Sequence, residues 1–278
     1  MKKKITTAKF AVGIVIMFVC LWIYLLGSGM VFRAASSLFN PKAAIFIMSM
    51  VILLVEYFFI KLTVNKLLKL SMEDLGMPKV RFEPRWVAIG FVLPLVILGI
   101  YLLMPKETLA IDRGQDVLFY VAAAVVWNGI YPGFIEEMIF RGLFLRLFEM
   151  RFNRIAGILV PSISFAAIHL LNGEIDLPSK IMLLIGGTAV GVMFSLIALA
   201  GRSVWNSAIV HVLWDFFIIG IFSFTTTPGP SCLFAYHLTD TNIFITGGEF
   251  GIEPSPLSTI AYIIVAIVAY RELRQKQL

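Results

Sequence analysis

The chain has 278 residues, of which 59% are hydrophobic and 14% charged, with a net charge of +6. Ordinary globular chains run at roughly 45–50% and 25%, so at a mean hydropathy of +0.91 there is too little polar surface to coat a water-soluble body. A soluble, disordered, coiled-coil or collagenous protein is excluded, and the two cysteines, Cys20 and Cys232, match no disulfide framework, zinc ribbon or thioredoxin pattern.

A bilayer-spanning helix needs about 20 mostly apolar residues, because each backbone N–H and C=O must find its partner within the segment. Eight runs qualify: Phe10–Phe32, Ala43–Thr63, Trp86–Met104, Val117–Phe148, Ala156–Leu171, Ile181–Ala200, Val204–Phe224 and Leu257–Tyr270. The pattern predicts an all-α polytopic membrane helix bundle. Three regions are expected: residues 1–115 with three spans, a core over 116–224, and 225–278 with an outside loop and the last span. The first run starts basic and ends Gly27-Ser28-Gly29, as a signal peptide would. At about 23 apolar residues it exceeds the usual 7–15 residue apolar stretch of such peptides, so it reads as a retained anchor. The loop from Leu70 to Arg85 reads as an interfacial connector, and Pro228–Pro256, rich in Gly, Pro, Thr and Ser, as an irregular loop.

Lys and Arg gather on cytoplasmic loops near span ends. With eight alternating spans, one set of ends holds 17 of them: Lys2, Lys3, Lys4 and Lys9; Lys61, Lys66, Lys69, Lys79, Arg81 and Arg85; Arg146, Arg151 and Arg154; Arg202; Arg271, Arg274 and Lys276. The other ends hold 5, namely Arg33, Lys42, Lys106, Arg113 and Lys180. This asymmetry predicts that both termini are cytoplasmic. It also accounts for the positive charge as a topology signal, so no nucleic-acid partner is expected. The short basic N-terminus and compact loops suggest a bacterial cell membrane.

In lipid the informative residues are ionisable, since each costs several kcal/mol unless paired or hydrated. The intramembrane set is Glu56, Glu136, Glu137, Arg141, His169, His211 and Asp215. All but Glu56 fall in spans 4, 5 and 7, and Glu56 reads as structural or snorkelling. Glu137 and Arg141 are four apart and can pair on one helix face, while Glu136 is turned about 100° away. One carboxylate is then neutralised by Arg141, and burial makes the other suited to general-base chemistry. Pro132 and Gly133 loosen the helix just upstream. Phe165 and His169 are also four apart, beside the small Ala166 and Ala167, and so are His211 and Asp215. The spacing predicts one polar pocket between spans 4, 5 and 7. Taken singly, each pair has a structural explanation: an ion-pair clamp, a packed histidine, a neutral hydrogen bond.

Three motifs stand in order: Glu136-Glu137-x-x-x-Arg141, Phe165-x-x-x-His169 and His211-x-x-x-Asp215. In this the chain resembles the type II CAAX prenyl endopeptidases and their bacterial relatives, the CAAX protease and bacteriocin-processing family of intramembrane proteases. The likeness runs from about Val117 to Phe224. It implies peptide-bond hydrolysis inside the membrane at a site reached from the cytoplasmic side. Its substrate would be a membrane-associated peptide, prenylated or bacteriocin-like. On this footing Glu136 is the expected general base with His169 as partner. His211 and Asp215 would stabilise an oxyanion or bind a metal, Glu137 and Arg141 would orient the site, and Phe165 would line the substrate pocket. The last motif position is often Asn in the family. Asp215 donates a hydrogen bond only when protonated; ionised, it suits orienting His211 or holding a cation. Zn2+ on Glu136, His169 and His211 is chemically sufficient, but the His-Glu-x-x-His helix is missing, so metal-dependent and glutamate-based mechanisms both stand. Two readings from other classes compete: a proton- or cation-coupled transporter, since buried Glu, His and Asp also build relays, and a non-catalytic immunity or scaffold protein.

Overall fold

The computed structural model describes residues 4–108, 116–171, 173–224, 232–240 and 242–276. Lys2, Lys3 and Arg113 of the charge pattern, and residues 228–231 and 241 of the expected loop, lie outside the described residues.

Eight apolar helices are long enough to cross a bilayer: span 1 Thr7–Leu38, span 2 Pro41–Leu68, span 3 Pro84–Leu103, span 4 Val117–Arg151, span 5 Arg154–Leu171, span 6 Leu177–Ala200, span 7 Val204–Ile221 and span 8 Pro256–Gln275. The protein is an all-α polytopic membrane bundle, 79% helical. Several helices begin where elementary rules put them. Asn40, Asn153 and Asp176 cap spans 2, 5 and 6, each accepting from a backbone N–H two or three positions inside the helix, and Pro occupies the first turn of spans 2, 3, 6 and 8.

Lipid tails are as apolar as the side chains, so packing between spans depends on van der Waals fit and small residues rather than on escape from water. Spans 4 and 7 cross at Gly129 and Gly133; a Cβ on Gly133 would lie 3.0 Å from the backbone nitrogen of Val212. Spans 5 and 6 cross where Gly187 meets Ala166 and Gly191 meets Ser162. Ala166 thus performs the expected close approach, whereas Ala167 faces outward.

Both termini lie at one end of the bundle. There Arg151 donates to Thr7 Oγ1 (3.1 Å), Lys276 donates to the carbonyl of Ala200 (2.7 Å), and Arg85 pairs with Glu272 (2.6 Å). The connector between spans 2 and 3 does not skim the surface. Leu75 and Met77 are buried, the amide of Val204 donates to the Gly76 carbonyl (2.8 Å), and the Trp205 indole donates to the Pro78 carbonyl (2.7 Å).

At the opposite end the loops carry more order than their composition suggests. Three short strands, β1 Lys106–Thr108, β2 Phe222–Ser223 and β3 Phe234–Leu238, form a sheet in the order β1-β3-β2. β1 pairs antiparallel with β3 and β2 pairs parallel with it. A helical turn at Ile243–Thr246 follows, and the Tyr101 hydroxyl ties it down by donating to the Ile245 carbonyl (2.7 Å). Glu56 does not snorkel. It is fully buried among spans, near Cys20.

Candidate active site

Span 4 is not a uniform α-helix. It widens into π-turns over Ala124–Ile130 and again over Glu137–Phe144, on either side of Tyr131–Glu136. Such bulges are frequent at functional sites. Here they bracket Pro132, whose missing N–H leaves the backbone free to change its winding. The 100° step between Glu136 and Glu137 expected of a regular helix therefore does not strictly apply, but the two carboxylates still diverge. Glu136 lines a cavity of about 400 Å³, and Glu137 is fully buried behind it.

His211 is the meeting point. Its Nδ1 lies 3.3 Å from Glu137 Oε1, and its Nε2 lies 3.4 Å from Asp215 Oδ2 and 3.9 Å from Glu136 Oε2. Phe194 of span 6 stacks on the ring, 4.6 Å between centroids and 23° from parallel. Glu137 Oε1 also lies 2.9 Å from Arg141 Nη1. Arg141 is 1% exposed, and its guanidinium sits over the rings of Phe165 (4.3 Å) and Phe194 (5.1 Å). Those aromatic faces supply the cation's environment in place of water.

His169 stands on another wall of the same cavity. Its Nδ1 is 2.7 Å from the Phe165 carbonyl, an oxygen that can only accept. The network therefore places the proton on Nδ1 and leaves Nε2 with a free lone pair when the ring is neutral. The ring packs against Phe165 (4.6 Å), which in turn meets His211 edge-on at 6.0 Å. All six charged or imidazole residues expected from the sequence, with Phe165, thus occupy one contiguous site. Glu136, Glu137, Asp215 and Arg141 cluster around His211, and His169 is joined to them through Phe165.

Three participants have no counterpart in the motif reading. Tyr24 of span 1 donates to Glu136 Oε1 (2.9 Å). Glu253, three residues before span 8, lines the cavity and accepts from the Trp214 indole (3.1 Å). Burial pushes its carboxyl above the usual range, opposed by the Trp214 hydrogen bond and by the nearby His169 and His211. Phe194 completes the aromatic pair around Arg141. Tyr24 carried a faint sequence signal, a hydroxyl at mid-span rather than at an interface, which must find a partner.

The donor set was also compatible with a zinc ion on Glu136, His169 and His211. Among the described residues no group of three His, Cys, Asp or Glu side chains is disposed to hold a metal ion. In this arrangement both ring nitrogens of His211 face carboxylates, while His169 rests its Nδ1 on a backbone carbonyl and keeps Nε2 open.

Aligned acids and imidazoles around a buried cavity, carried by an eight-span bundle, define an intramembrane enzyme-like centre. Residues 114–217 match the family described as type II CAAX prenyl endopeptidase Rce1-like, a stretch that contains all three motifs and leaves spans 1–3 and 8 outside it. The matched segment is thus similar to the CAAX protease family, which supports, in general terms, an intramembrane CAAX-type endopeptidase. No curated protein matches the chain.

Proposed function

We propose that the protein hydrolyses a peptide bond of a membrane-associated polypeptide, with Glu136 activating the water. Glu136 is the carboxylate that faces the cavity while its neighbour Glu137 is spent on Arg141 and His211. Glu136 takes a proton from water, and the resulting hydroxide adds to the carbonyl carbon. The oxyanion then draws on the His211 Nε2 proton. That proton is weakly engaged in the resting site, since 3.4 and 3.9 Å both exceed a good hydrogen bond. Collapse of the tetrahedral adduct breaks the C–N bond, and the proton that Glu136 took from water passes to the amine, directly or by way of the His169 Nε2 lone pair. Glu137 and Arg141 hold His211 in orientation, and Asp215 supports its positive charge.

The observation that carries this reading is the placement of Glu136 and His211 side by side on the wall of a cavity large enough for a peptide segment. Glu136→Gln keeps the shape and the Tyr24 contact but removes the base. It should abolish cleavage of an internally quenched, bilayer-inserted peptide while leaving the thermal unfolding profile unchanged. Full retention of the rate would remove Glu136 from this role.

A further inference from the structure

At the termini end of the bundle the connector between spans 2 and 3 and the turn between spans 6 and 7 enclose a second hollow, a groove of about 970 Å³. Its charged lining is Lys79, Arg81, Arg85 and Arg202, with Glu73 and Glu83. The acids do not cancel the bases. Glu83 pairs with Arg85 and accepts from the Asn206 side-chain amide (3.3 Å), and Arg85 also pairs with Glu272 (2.6 Å). The side chains of Lys79, Arg81 and Arg202 are exposed and make no hydrogen bond, ion pair or ring contact among the described residues. Glu73 is unpaired in the same sense, so the free groups of the groove are three cations to one acid.

The cations, not a helix end, define the place. The first amides of span 7 are already used: Val204 donates to the Gly76 carbonyl, Trp205 to Ser203 Oγ and Asn206 to the Ser203 carbonyl. Arg202 has a φ of +51°, in the left-handed region, where glycine fits without the penalty a Cβ brings. The turn would form more easily with glycine; with arginine it sets a cation on the groove wall. Span 6 ends at Ala200, span 7 starts at Val204 and span 3 starts at Pro84. The groove therefore lies where apolar helix gives way to polar chain, the depth of lipid headgroups. Val80, between Lys79 and Arg81, is 59% exposed, an apolar side chain placed to touch an acyl chain beneath a headgroup held by its neighbours.

We propose that this groove binds the phosphate headgroup of an anionic phospholipid. Arg81 and Arg202 offer planar forks that match phosphate oxygens, and Lys79 adds a point charge. Basic pockets between spans at a membrane surface suit such headgroups. The bound lipid clamps the connector to span 7, the span that carries His211. The two are already joined there, since Val204 and Trp205 donate to the carbonyls of Gly76 and Pro78, and the Glu83 amide donates to Asn206 Oδ1 (2.9 Å). The assignment does not depend on the hydrolysis proposed above.

The test follows thermal unfolding of the full chain in an uncharged detergent, titrated with dioleoylphosphatidylglycerol, dioleoylphosphatidylcholine or inorganic phosphate. Phosphatidylglycerol should raise the Tm saturably, and the other two should not at equal concentration. Each Lys or Arg near a headgroup strengthens binding by about fivefold. Lys79→Gln/Arg81→Gln/Arg202→Gln should therefore weaken the apparent Kd by roughly 100-fold. Lys61→Gln/Lys66→Gln/Arg274→Gln removes the same charge from exposed positions outside the groove and should leave the Kd unchanged. Arg202→Gly covers the case in which the first triple variant does not fold. Without lipid it should unfold no earlier than the wild type, because glycine relieves the left-handed turn, yet it should bind about fivefold more weakly. Equal losses in the two triple variants would reduce the effect to net charge and overturn the proposal. An unchanged Kd in Arg202→Gly, or an equal Tm rise with inorganic phosphate, would overturn it as well.

Discussion

The Tyr24 hydroxyl of span 1 donates a 2.9 Å hydrogen bond to Oε1 of Glu136 on span 4, a partner 112 residues away. A span that belongs to no motif thereby fixes the carboxylate placed as the base. The bond occupies one oxygen and leaves Oε2 toward His211 and the cavity.

Tyr24→Phe should therefore slow cleavage without unfolding the bundle. A hydrogen bond to a charged group is worth about 1.5–3 kcal/mol, which corresponds to a ~10- to 100-fold loss if fully expressed in the transition state. The fall should appear in kcat more than in KM, measured with the quenched peptide.

Breaking the buried Glu137–Arg141 pair from one side should hurt stability more than removing both partners. Arg141→Met leaves an uncompensated carboxylate, and such losses run at about 3–5 kcal/mol. The double change Glu137→Gln/Arg141→Met should recover part of that in thermal unfolding. A double variant less stable than either single one would argue against the pair as the source.

Glu253 makes stability depend on pH in a defined direction. Burial raises its carboxyl above the ordinary 4.5, so the folded state holds the proton more tightly than the unfolded chain. The stabilisation is fully present below the ordinary value and is lost as pH rises through the raised one. Glu253→Gln should remove this slope, so the Tm of the wild type should fall relative to the variant as pH rises above about 4.5. Parallel curves would show that Glu253 ionises freely.

Spans 4 and 7 have no room for a larger residue at Gly133. A Cβ there would lie 2.8 Å from Val212 Cγ2 as well as close to its backbone. Gly133→Val should destabilise by about 1–3 kcal/mol, the range for overpacking. It should also reduce activity further than stability alone accounts for, because it separates Glu136 from His211. Differential scanning of the purified protein alongside its cleavage rate checks both parts.

The spans were legible because lipid allows almost no other solution for a run of twenty apolar residues. The inner site was legible because Glu137 and Arg141, Phe165 and His169, and His211 and Asp215 each sit four apart, a local relation that survives the π-turns in span 4. What was hidden is tertiary. Nothing local tells Tyr24 that its partner is Glu136, or brings the loop bearing Glu253 back over the cavity. The sheet joins Lys106–Thr108 to Phe234–Leu238 across most of the core region, a pairing no local pattern encodes. For Glu56 the structural and snorkelling readings both stood, because the way its side chain faces is set by how span 2 rotates against its neighbours, and the apolar run constrains that rotation weakly.

Phe165 has a further consequence. Its ring separates the Arg141 guanidinium from the cavity, with one face toward the cation and an edge toward His211. It is the insulator of the centre, keeping a permanent positive charge dry a few ångströms from a space that must admit water. Leucine at this position would match the ring's greasiness but not its electron-rich face. Hydration leaking to Arg141 would then loosen the grip on Glu137 and His211 together, which makes the aromatic as integral to the charge arrangement as the acids themselves.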